Sequence, residues 1–194
     1  NITPKQKWIH ISTEQFKELP NNNIYSFTED ASGLIWIGTY MGLCHYSVQT
    51  KTITPVYVSP NKSVVSGYII RTLCSDEQNN IWCGTDDGLH LVQNGKLVKT
   101  FRSNEKDSSS LSNNRITTLF IDRNKKLWIG TKEGLNLFDA ATEKFKRYTT
   151  QNGLPNDVIG SITEDAKENL WIGTNNGLVK FNVKTNAATI YTTE

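Results

Sequence analysis

The sequence predicts an all-β fold in which four-stranded antiparallel units repeat, that is, a segment of a β-propeller. The first observation is a stretch of the form Trp-(Ile/Cys)-Gly-Thr-x-x-Gly-Leu, which occurs four times, at 36–43, 82–89, 128–135 and 171–178. The second is its period, because the four tryptophans are 46, 46 and 43 residues apart, a spacing typical of repeat arrays. The third is the pattern between them: short aromatic and β-branched runs are separated by turn residues, without a helical periodicity of useful length.

Each copy of the motif carries further residues at fixed offsets. An aspartate stands six positions before each tryptophan; the pairs are Asp30/Trp36, Asp76/Trp82, Asp122/Trp128 and Asp165/Trp171. Two apolar residues three positions apart come before each aspartate, as in Ile24 and Phe27. We expect one blade of the propeller per motif. The predicted intervals are a partial N-terminal blade at 1–20 and full blades at 21–60, 61–107, 108–150 and 151–194.

Four short strands, A to D, are predicted in each blade. In the first blade they are 24–29, 34–39, 43–47 and 53–57. The segments 8–11 and 16–19 resemble the last two strands of a unit whose beginning is missing. The run 12–15 also has the form of a helix capping box. We favour the strand interpretation because a short apolar strand, a polar turn and another strand also come after Leu178 in the last motif.

The two kinds of turn in a blade are predicted from their residues. In the A–B turn, the aspartate can accept backbone N–H bonds, and Gly33 or Asn79 can supply a positive φ. Lys125 and Glu168 occupy the same alignment column, where a left-handed conformation costs about 1 kcal/mol, so we expect those two turns to differ. The B–C sequence Thr-x-x-Gly-Leu fits a three-residue hairpin loop with a left-handed glycine that forms a bulge.

The motif tryptophans are predicted to lie between blades. Burying one tryptophan removes about 150 to 250 Å² from water, which corresponds to roughly 4 to 6 kcal/mol as an upper value. Replacing one by alanine should cost about 3 to 5 kcal/mol. A contribution to stability of this size accounts for the motif by a structural role.

Composition excludes several classes of function. The chain has 194 residues, 37% apolar and 21% charged, with a net charge of +2, and its basic residues are spread out. We therefore expect no nucleic-acid partner. No apolar run is long enough to cross a bilayer and no signal peptide is present; because the chain begins with Asn1, it has the look of a piece of something longer. Among three cysteines, Cys83 takes the place of a core isoleucine, a Cys74–Cys83 disulfide is a minor alternative, and no metal-ligand spacing or cofactor motif occurs.

The quoted motifs resemble the two-component regulator propeller repeat. That family has an Asp, a Gly-containing turn and then Leu-Trp-Ile-Gly-Thr-x-x-Gly-Leu, and the stretches 30–43 and 165–178 are the most similar, whereas Cys83 departs from the pattern. The resemblance covers residues 19–194. It implies a periplasmic sensor region of a hybrid two-component system that responds to an oligosaccharide, upstream of a histidine kinase and a response regulator absent from this chain. Such sensor regions usually hold two seven-bladed propellers, more blades than this chain supplies. We therefore expect either a homodimer or other blades of a parent chain as a partner.

Ligands of propellers usually dock on the face that carries the D–A and B–C connections. Amides, carboxylates, an arginine and aromatic rings there could bind sugar hydroxyls or stack on a pyranose. The candidate ligand-binding residues are Tyr40, Tyr68, Asp86, Asp87, Asn114, Arg115, Lys132, Asn156, Asp157 and Asn175. The same face also carries Asn22, Asn23, Met41, Glu133 and Asn176. Each of the Asn and Asp residues could equally serve its turn alone.

Catalysis has less support in the sequence. Asp86 and Asp87 are adjacent on one turn, a poor arrangement for the two flanking carboxylates of a glycosidase. The histidines, His10, His45 and His90, occupy unlike positions in their units, and no nucleophile-base constellation can be derived from order and spacing. We predict a binding segment that is not an enzyme. A protein-interaction platform is the first alternative, and a propeller-type lyase or hydrolase is the second.

Overall fold

The chain folds into four separate antiparallel sheets. The structure, a computed structural model, describes residues 9–56 and 69–192. Each sheet contains four consecutive strands joined as a meander, which is the blade of a propeller. The predicted fold class is therefore confirmed.

The strands follow the predicted order A to D in every blade. Blade 1 contains β1 (Ile24–Glu29), β2 (Leu34–Thr39), β3 (Gly42–Ser47) and β4 (Thr52–Pro55). Blade 2 contains β5 (Thr72–Ser75), β6 (Ile81–Gly84), β7 (Leu89–Gln93) and β8 (Lys96–Phe101). Blade 3 contains β9 (Ile116–Ile121), β10 (Leu127–Thr131), β11 (Gly134–Asp139) and β12 (Lys144–Tyr148). Blade 4 contains β13 (Ile159–Glu164), β14 (Asn169–Thr174), β15 (Gly177–Asn182) and β16 (Ala188–Tyr191), and a short 3₁₀ helix, Thr150–Asn152, precedes it.

The four A strands lie side by side, β1 against β5, β5 against β9 and β9 against β13. Side chains join them: the N–H of Leu73 donates to Ser26 Oγ at 2.9 Å, and that of Leu119 donates to Thr72 Oγ1 at 3.3 Å. We call the end of the blades that carries the D–A and B–C connections the upper face. The end that carries the A–B and C–D turns is the lower face.

The hydrophobic core lies between blades. Trp36 packs with Ile70 and Leu73 of blade 2, and Trp128 packs with Ile159 and Leu170 of blade 4. Trp82 occupies the equivalent place between blades 2 and 3. The predicted location of the tryptophans is thus confirmed for three motifs. Trp171, in the last blade, is only half-buried and stacks on Tyr191, with ring centroids 5.6 Å apart.

The first glycine of the motif makes room for the next blade. A Cβ at Gly84 would lie 2.5 Å from Ile116 Cγ2, and one at Gly130 would lie 2.7 Å from Ile159 Cγ2. The backbone N–H of Ile116 donates to the carbonyl of Thr85 at 2.8 Å. The Gly-Thr pair of one blade therefore forms a socket for the isoleucine that opens the next. Gly38 and Ile70 repeat the same contact between blades 1 and 2.

In each motif the tryptophan indole donates a hydrogen bond to the aspartate, a contact that the sequence pattern did not predict. The indole Nε1 donates to the carboxylate at 2.7 Å for Trp36 and Asp30, and at 2.8 Å for Trp128 and Asp122. The other carboxylate oxygen of Asp30 accepts the backbone N–H of Leu34, as expected for the turn. Although burial raises the pKa of Asp30, hydrogen bonds from Ser32 and Trp36 hold it below its usual range.

The expectation that two of the A–B turns would differ is wrong. Lys125 has φ 63° and Glu168 has φ 62°, close to the 59° of Asn79, so all four turns share one left-handed position. The same hydrogen bond closes them, for instance from Lys125 N–H to the Asp122 carbonyl at 2.9 Å. The aspartate fixes the turn strongly enough to offset the local strain. The B–C turns also carry a left-handed glycine, although Thr131 pairs with Gly134 so that two residues form the loop.

Residues 9–20 form turns, so the predicted strands at 9–11 and 16–19 are wrong. The Ser12 carbonyl accepts the N–H groups of Gln15 and Phe16, which makes one turn and not the alternative helix. No neighbouring strand is present in this part of the described chain to pair with them. Leu19 is buried against blade 1, and Phe16 lies edge-on to Tyr46 with centroids 6.1 Å apart.

Trp128 and Trp171 give a matched test of the inter-blade core. Trp128→Ala should reduce the free energy of unfolding by about 3 to 5 kcal/mol, because it empties a fully packed junction. Trp171→Ala should cost less than half as much, because Trp171 is only half-buried in the described structure. Urea unfolding followed by circular dichroism measures both. Equal losses would contradict the assignment of the core to the blade junctions.

His90 lies in the core, where both ring nitrogens are bonded. Nε2 is 3.1 Å from Thr85 Oγ1 and Nδ1 is 2.8 Å from Thr100 Oγ1. Burial, followed by the nearby positive charge of Arg102, lowers the pKa of His90 to about 4. The equivalent position in blade 3 is Asn136, which is also fully buried. The neutral imidazole therefore serves as a polar core residue.

This burial predicts a loss of stability in mild acid. The unfolded chain binds a proton at this histidine below about pH 6.5, whereas the folded chain does so only near pH 4, so the contribution present at neutral pH is lost across that interval. We expect the free energy of unfolding to fall by about 2 to 3 kcal/mol between pH 7.5 and pH 4.5 on this account. His90→Asn, which imitates Asn136, should remove that part of the fall. An identical pH dependence in both proteins, measured by urea unfolding, would contradict it; burial of His45 leaves a smaller dependence in each.

Candidate functional site

The described candidate residues all lie on the upper face, where the connections between blades cross the ends of the strands. Backbone hydrogen bonds hold these connections together: Gly88 N–H donates to the Asn114 carbonyl at 2.8 Å, and Gly134 N–H donates to the Asp157 carbonyl at 2.7 Å. Each bond links the B–C turn of one blade to the segment that enters the next. Tyr68, the remaining candidate, lies outside the described residues.

Asp86 and Arg115 are brought together beside the A strands. Arg71 donates to both carboxylate oxygens of Asp86, from Nε at 2.7 Å and from Nη2 at 2.8 Å. Arg115 Nε approaches Asp86 Oδ1 at 3.2 Å from the neighbouring blade. The hydrogen bond from Arg71 lowers the pKa of Asp86, which stays ionised. Two guanidinium groups thus share one carboxylate, and the cluster keeps a net positive charge.

Several other candidates are engaged in the loops themselves. Arg102 Nη2 pairs with Asp87 Oδ2 at 2.5 Å. The side chain of Asn114 accepts the N–H of Ser103 at 2.7 Å, and that of Asn156 accepts the N–H of Val158 at 2.8 Å. The two asparagine side chains thus stabilise the backbone of their own loops, which is the ordinary role of asparagine in turns.

Tyr40, Lys132 and Asn175 project from the B–C turns of blades 1, 3 and 4. Tyr40 and Asn175 are exposed, and Lys132 is half-buried. The backbone N–H of each donates to the carbonyl of the residue directly before strand A of the same blade. For example, the N–H of Lys132 donates to the Arg115 carbonyl at 3.3 Å. Their side chains have the access that a ligand contact needs.

A polar cavity of about 710 Å³ opens on the upper face where blades 3 and 4 meet. One wall comes from the connection into blade 3, a second from the B–C turn of blade 3 and a third from the connection into blade 4. The lining residues include Ser109, Ser112, Glu133, Thr150, Gln151 and Asp157. Asp157 organises the third wall, because its carboxylate accepts the N–H of Thr150 at 2.6 Å and the hydroxyl of Thr150 at 3.3 Å.

The lower face carries a cavity of different character, about 780 Å³, between blades 2 and 3. Trp82, Leu127 and Phe138 line it, and the ion pair of Lys125 and Glu77, 2.6 Å apart, lies at its edge. The larger of the two cavities is therefore mainly apolar and lies opposite the predicted docking face. Its lining suits an apolar group better than a hydroxylated one.

Sequence reasoning missed Arg71, Gln151 and the serines of the connection into blade 3. Arg71 aligns with the uncharged residues Tyr25, Thr117 and Gly160 of the other blades. Its charge was therefore the one signal in the sequence that could have indicated a role at this position. The serines gave no such signal, because serine is common in any loop.

In the described part of the chain, no cluster of three or more His, Cys, Asp or Glu residues is placed to hold a metal ion. Cys44, Cys74 and Cys83 are free thiols, so the alternative of a Cys74–Cys83 disulfide is wrong. Cys74 lies opposite Trp82 on the neighbouring strand.

Solved structures with a similar fold include two informative proteins. The extracellular domain assigned to a hybrid two-component system of B. thetaiotaomicron matches with a TM-score of 0.75 and 21% identity, over 91% of this chain and 24% of that one. A catalytically inactive virginiamycin B lyase of Staphylococcus aureus matches with a TM-score of 0.66 and 16% identity, over 90% of this chain and 57% of that one. The chain thus spans about a quarter of the sensor structure. At these identities the likeness shows the fold.

No curated protein sequence matches the chain significantly. None of the described helices is long and apolar enough to span a membrane. The family model for the two component regulator propeller matches residues 18–41, 63–87, 110–133 and 153–176, one stretch for each blade. These stretches together make up half of the sequence and contain every motif tryptophan, so the chain belongs to the two-component regulator propeller family.

Proposed function

We propose that this chain is an extracytoplasmic, periplasmic ligand-sensing segment of a hybrid two-component sensor, and that its ligand is an oligosaccharide. The polar cavity on the upper face carries the proposal. Its volume of about 710 Å³ falls within the range of small-molecule sites. Hydroxyl, amide and carboxylate groups converge there with Lys146 and Arg147, and the polar part of the lining exceeds the apolar part, which suits a ligand rich in hydroxyl groups.

The cavity also suits sensing because it spans a junction. Glu133 belongs to blade 3, whereas Thr150 and Gln151 belong to the connection that leads into blade 4. A ligand bonded to both sides stabilises one relative position of the two blades, and only such a differential affinity can shift an equilibrium. The histidine kinase that responds would lie elsewhere in the sensor. This role is binding, without a catalytic step in the chain itself.

Two side chains in the cavity are suited to a test because no turn depends on them. Glu133 and Gln151 are exposed, and their side chains have no hydrogen bond among those found in the described structure. Glu133→Ala and Gln151→Ala should each weaken oligosaccharide binding about tenfold by removing one ligand hydrogen bond. Lys96→Ala, at the start of β8 beside a C–D turn of the lower face, is the matched control. All three proteins should unfold at the wild-type urea concentration.

Isothermal titration against a panel of neutral and acidic oligosaccharides measures the binding. An affinity lowered by the cavity variants and unchanged by Lys96→Ala supports the site. Binding that neither cavity variant weakens would reject the cavity while keeping the ligand class. The absence of binding to every member of the panel would reject the oligosaccharide proposal.

A further inference from the structure

The apolar cavity on the lower face lies at a junction that is filled less completely than the next one along the chain. Between blades 3 and 4, Val183 in the C–D turn of blade 4 packs against the core cluster around Trp128. The equivalent residue of blade 3 is Ala140, which is exposed and lines the cavity between blades 2 and 3. Alanine is smaller than valine by two methyl groups, so this junction stays open at the lower face.

The two C–D turns have the same backbone, so the difference between the junctions lies in the side chains. In each turn the side chain of the first residue, Asp139 or Asn182, accepts the backbone N–H two positions later, at 2.9 and 3.0 Å. Each turn also contains a left-handed residue, Glu143 with φ 56° and Asn186 with φ 58°. A valine therefore fits the turn of blade 3 as it fits that of blade 4.

A second difference makes the floor of the cavity apolar. At the junction of blades 3 and 4, Arg123 reaches across to Glu164, with Nε 3.4 Å from Oε2. The residues at the same positions between blades 2 and 3 are Glu77 and Ile121, which cannot form an ion pair. Glu77 pairs instead with Lys125 at the edge of the cavity, at 2.6 Å, and Ile121 is left to line it.

Aromatic side chains form the remaining walls. Trp82 of blade 2 and Phe138 of blade 3 line the cavity, with ring centroids 5.1 Å apart. Phe138 also contacts Phe101 and Phe145, at 5.3 and 5.2 Å, so the cavity opens beside a cluster of four aromatic rings. Its volume of about 780 Å³ and its mainly apolar lining are those of small-molecule sites.

We propose that this cavity binds a small molecule with an aromatic ring, at a site separate from the polar cavity of the upper face. The ring packs against Trp82 and Phe138, since aromatic rings attract one another edge to face or offset beyond simple apolar burial. Three lysines and three acidic residues line the cavity, so their charges balance and the ligand needs no net charge. The ion pair of Glu77 and Lys125 at the mouth can bond a polar substituent.

Phenol and cyclohexanol are the probes, because they have the same number of heavy atoms and one hydroxyl each and differ in the ring. Phenol should bind about fivefold more tightly, through its contacts with the aromatic walls. Titration followed by ¹⁵N–¹H NMR measures both dissociation constants. The indole N–H of Trp82, which donates to Asp76 at 3.0 Å, reports binding at this site. Equal affinities for the two probes, or no binding of phenol, would overturn the proposal.

Three variants test the location. Ala140→Val should weaken phenol binding about tenfold, because it fills the cavity as Val183 fills the next junction. Ala141→Val, at the next position of the same turn and outside the cavity lining, is the matched control and should leave the affinity unchanged. Phe138→Leu keeps an apolar wall without a ring, so phenol should lose its advantage over cyclohexanol. Wild-type affinity in Ala140→Val, or an undiminished preference for phenol in Phe138→Leu, would reject this cavity as the site.

Discussion

The structure depends on the contact between an isoleucine at the start of one blade and a glycine in the blade before it. Gly84 and Gly130 have no Cβ to obstruct Ile116 and Ile159, whose methyl groups come within 3 Å of the place where one would stand. That approach brings the motif tryptophan against the next sheet, so the core forms at junctions and not inside single blades. A blade in this array cannot bury its apolar side chains alone, which is the general condition of repeat folds. Stability is thus shared between neighbouring blades.

A second interaction fixes each blade internally and frees the rest of its sequence to vary. The motif aspartate binds the A–B turn with one oxygen and the tryptophan indole with the other, at 2.8 Å for Trp128 and 3.1 Å for Trp171. The side-chain amide of Asn169 leads the hydrogen bonds that hold the pKa of Asp165 well below its usual range, so this link stays charged over most of the pH scale. Because the carboxylate dictates the turn, Lys125 and Glu168 accept left-handed backbone conformations where glycine or asparagine would be easier.

The fold was predictable from the sequence to the extent that the repeat carries it. The strands β1 and β2 begin and end where their patterns place them, since glycine, aspartate and tryptophan recur with a fixed spacing. Residues 9–20 were not predictable in the same way, because apolar residues near Phe16 show a need for burial without showing whether a partner strand exists. The candidate site could be predicted only as a face, and that assignment stays a prediction. Loop residues such as Asn114 and Asp157 have the composition of any turn, and the pairing of Arg71 with Asp86 depends on side-chain directions that no motif encodes.

On the upper face, residues that link neighbouring blades also form a wall of the polar cavity proposed as the ligand site. Asp157 shows how closely the two roles are coupled: its carbonyl accepts the N–H of Gly134 in blade 3, while its carboxylate holds Thr150 at the wall of the polar cavity. A displacement of this wall therefore reaches the B–C turn of the preceding blade through one residue. Inner strands held by the Ile-Gly contact resist such a displacement, whereas the outer connections are tied by only a few hydrogen bonds. A ligand in the cavity would contact the outer connections of the junction and not its inner strands, so we expect it to change the angle between the two blades without unfolding them.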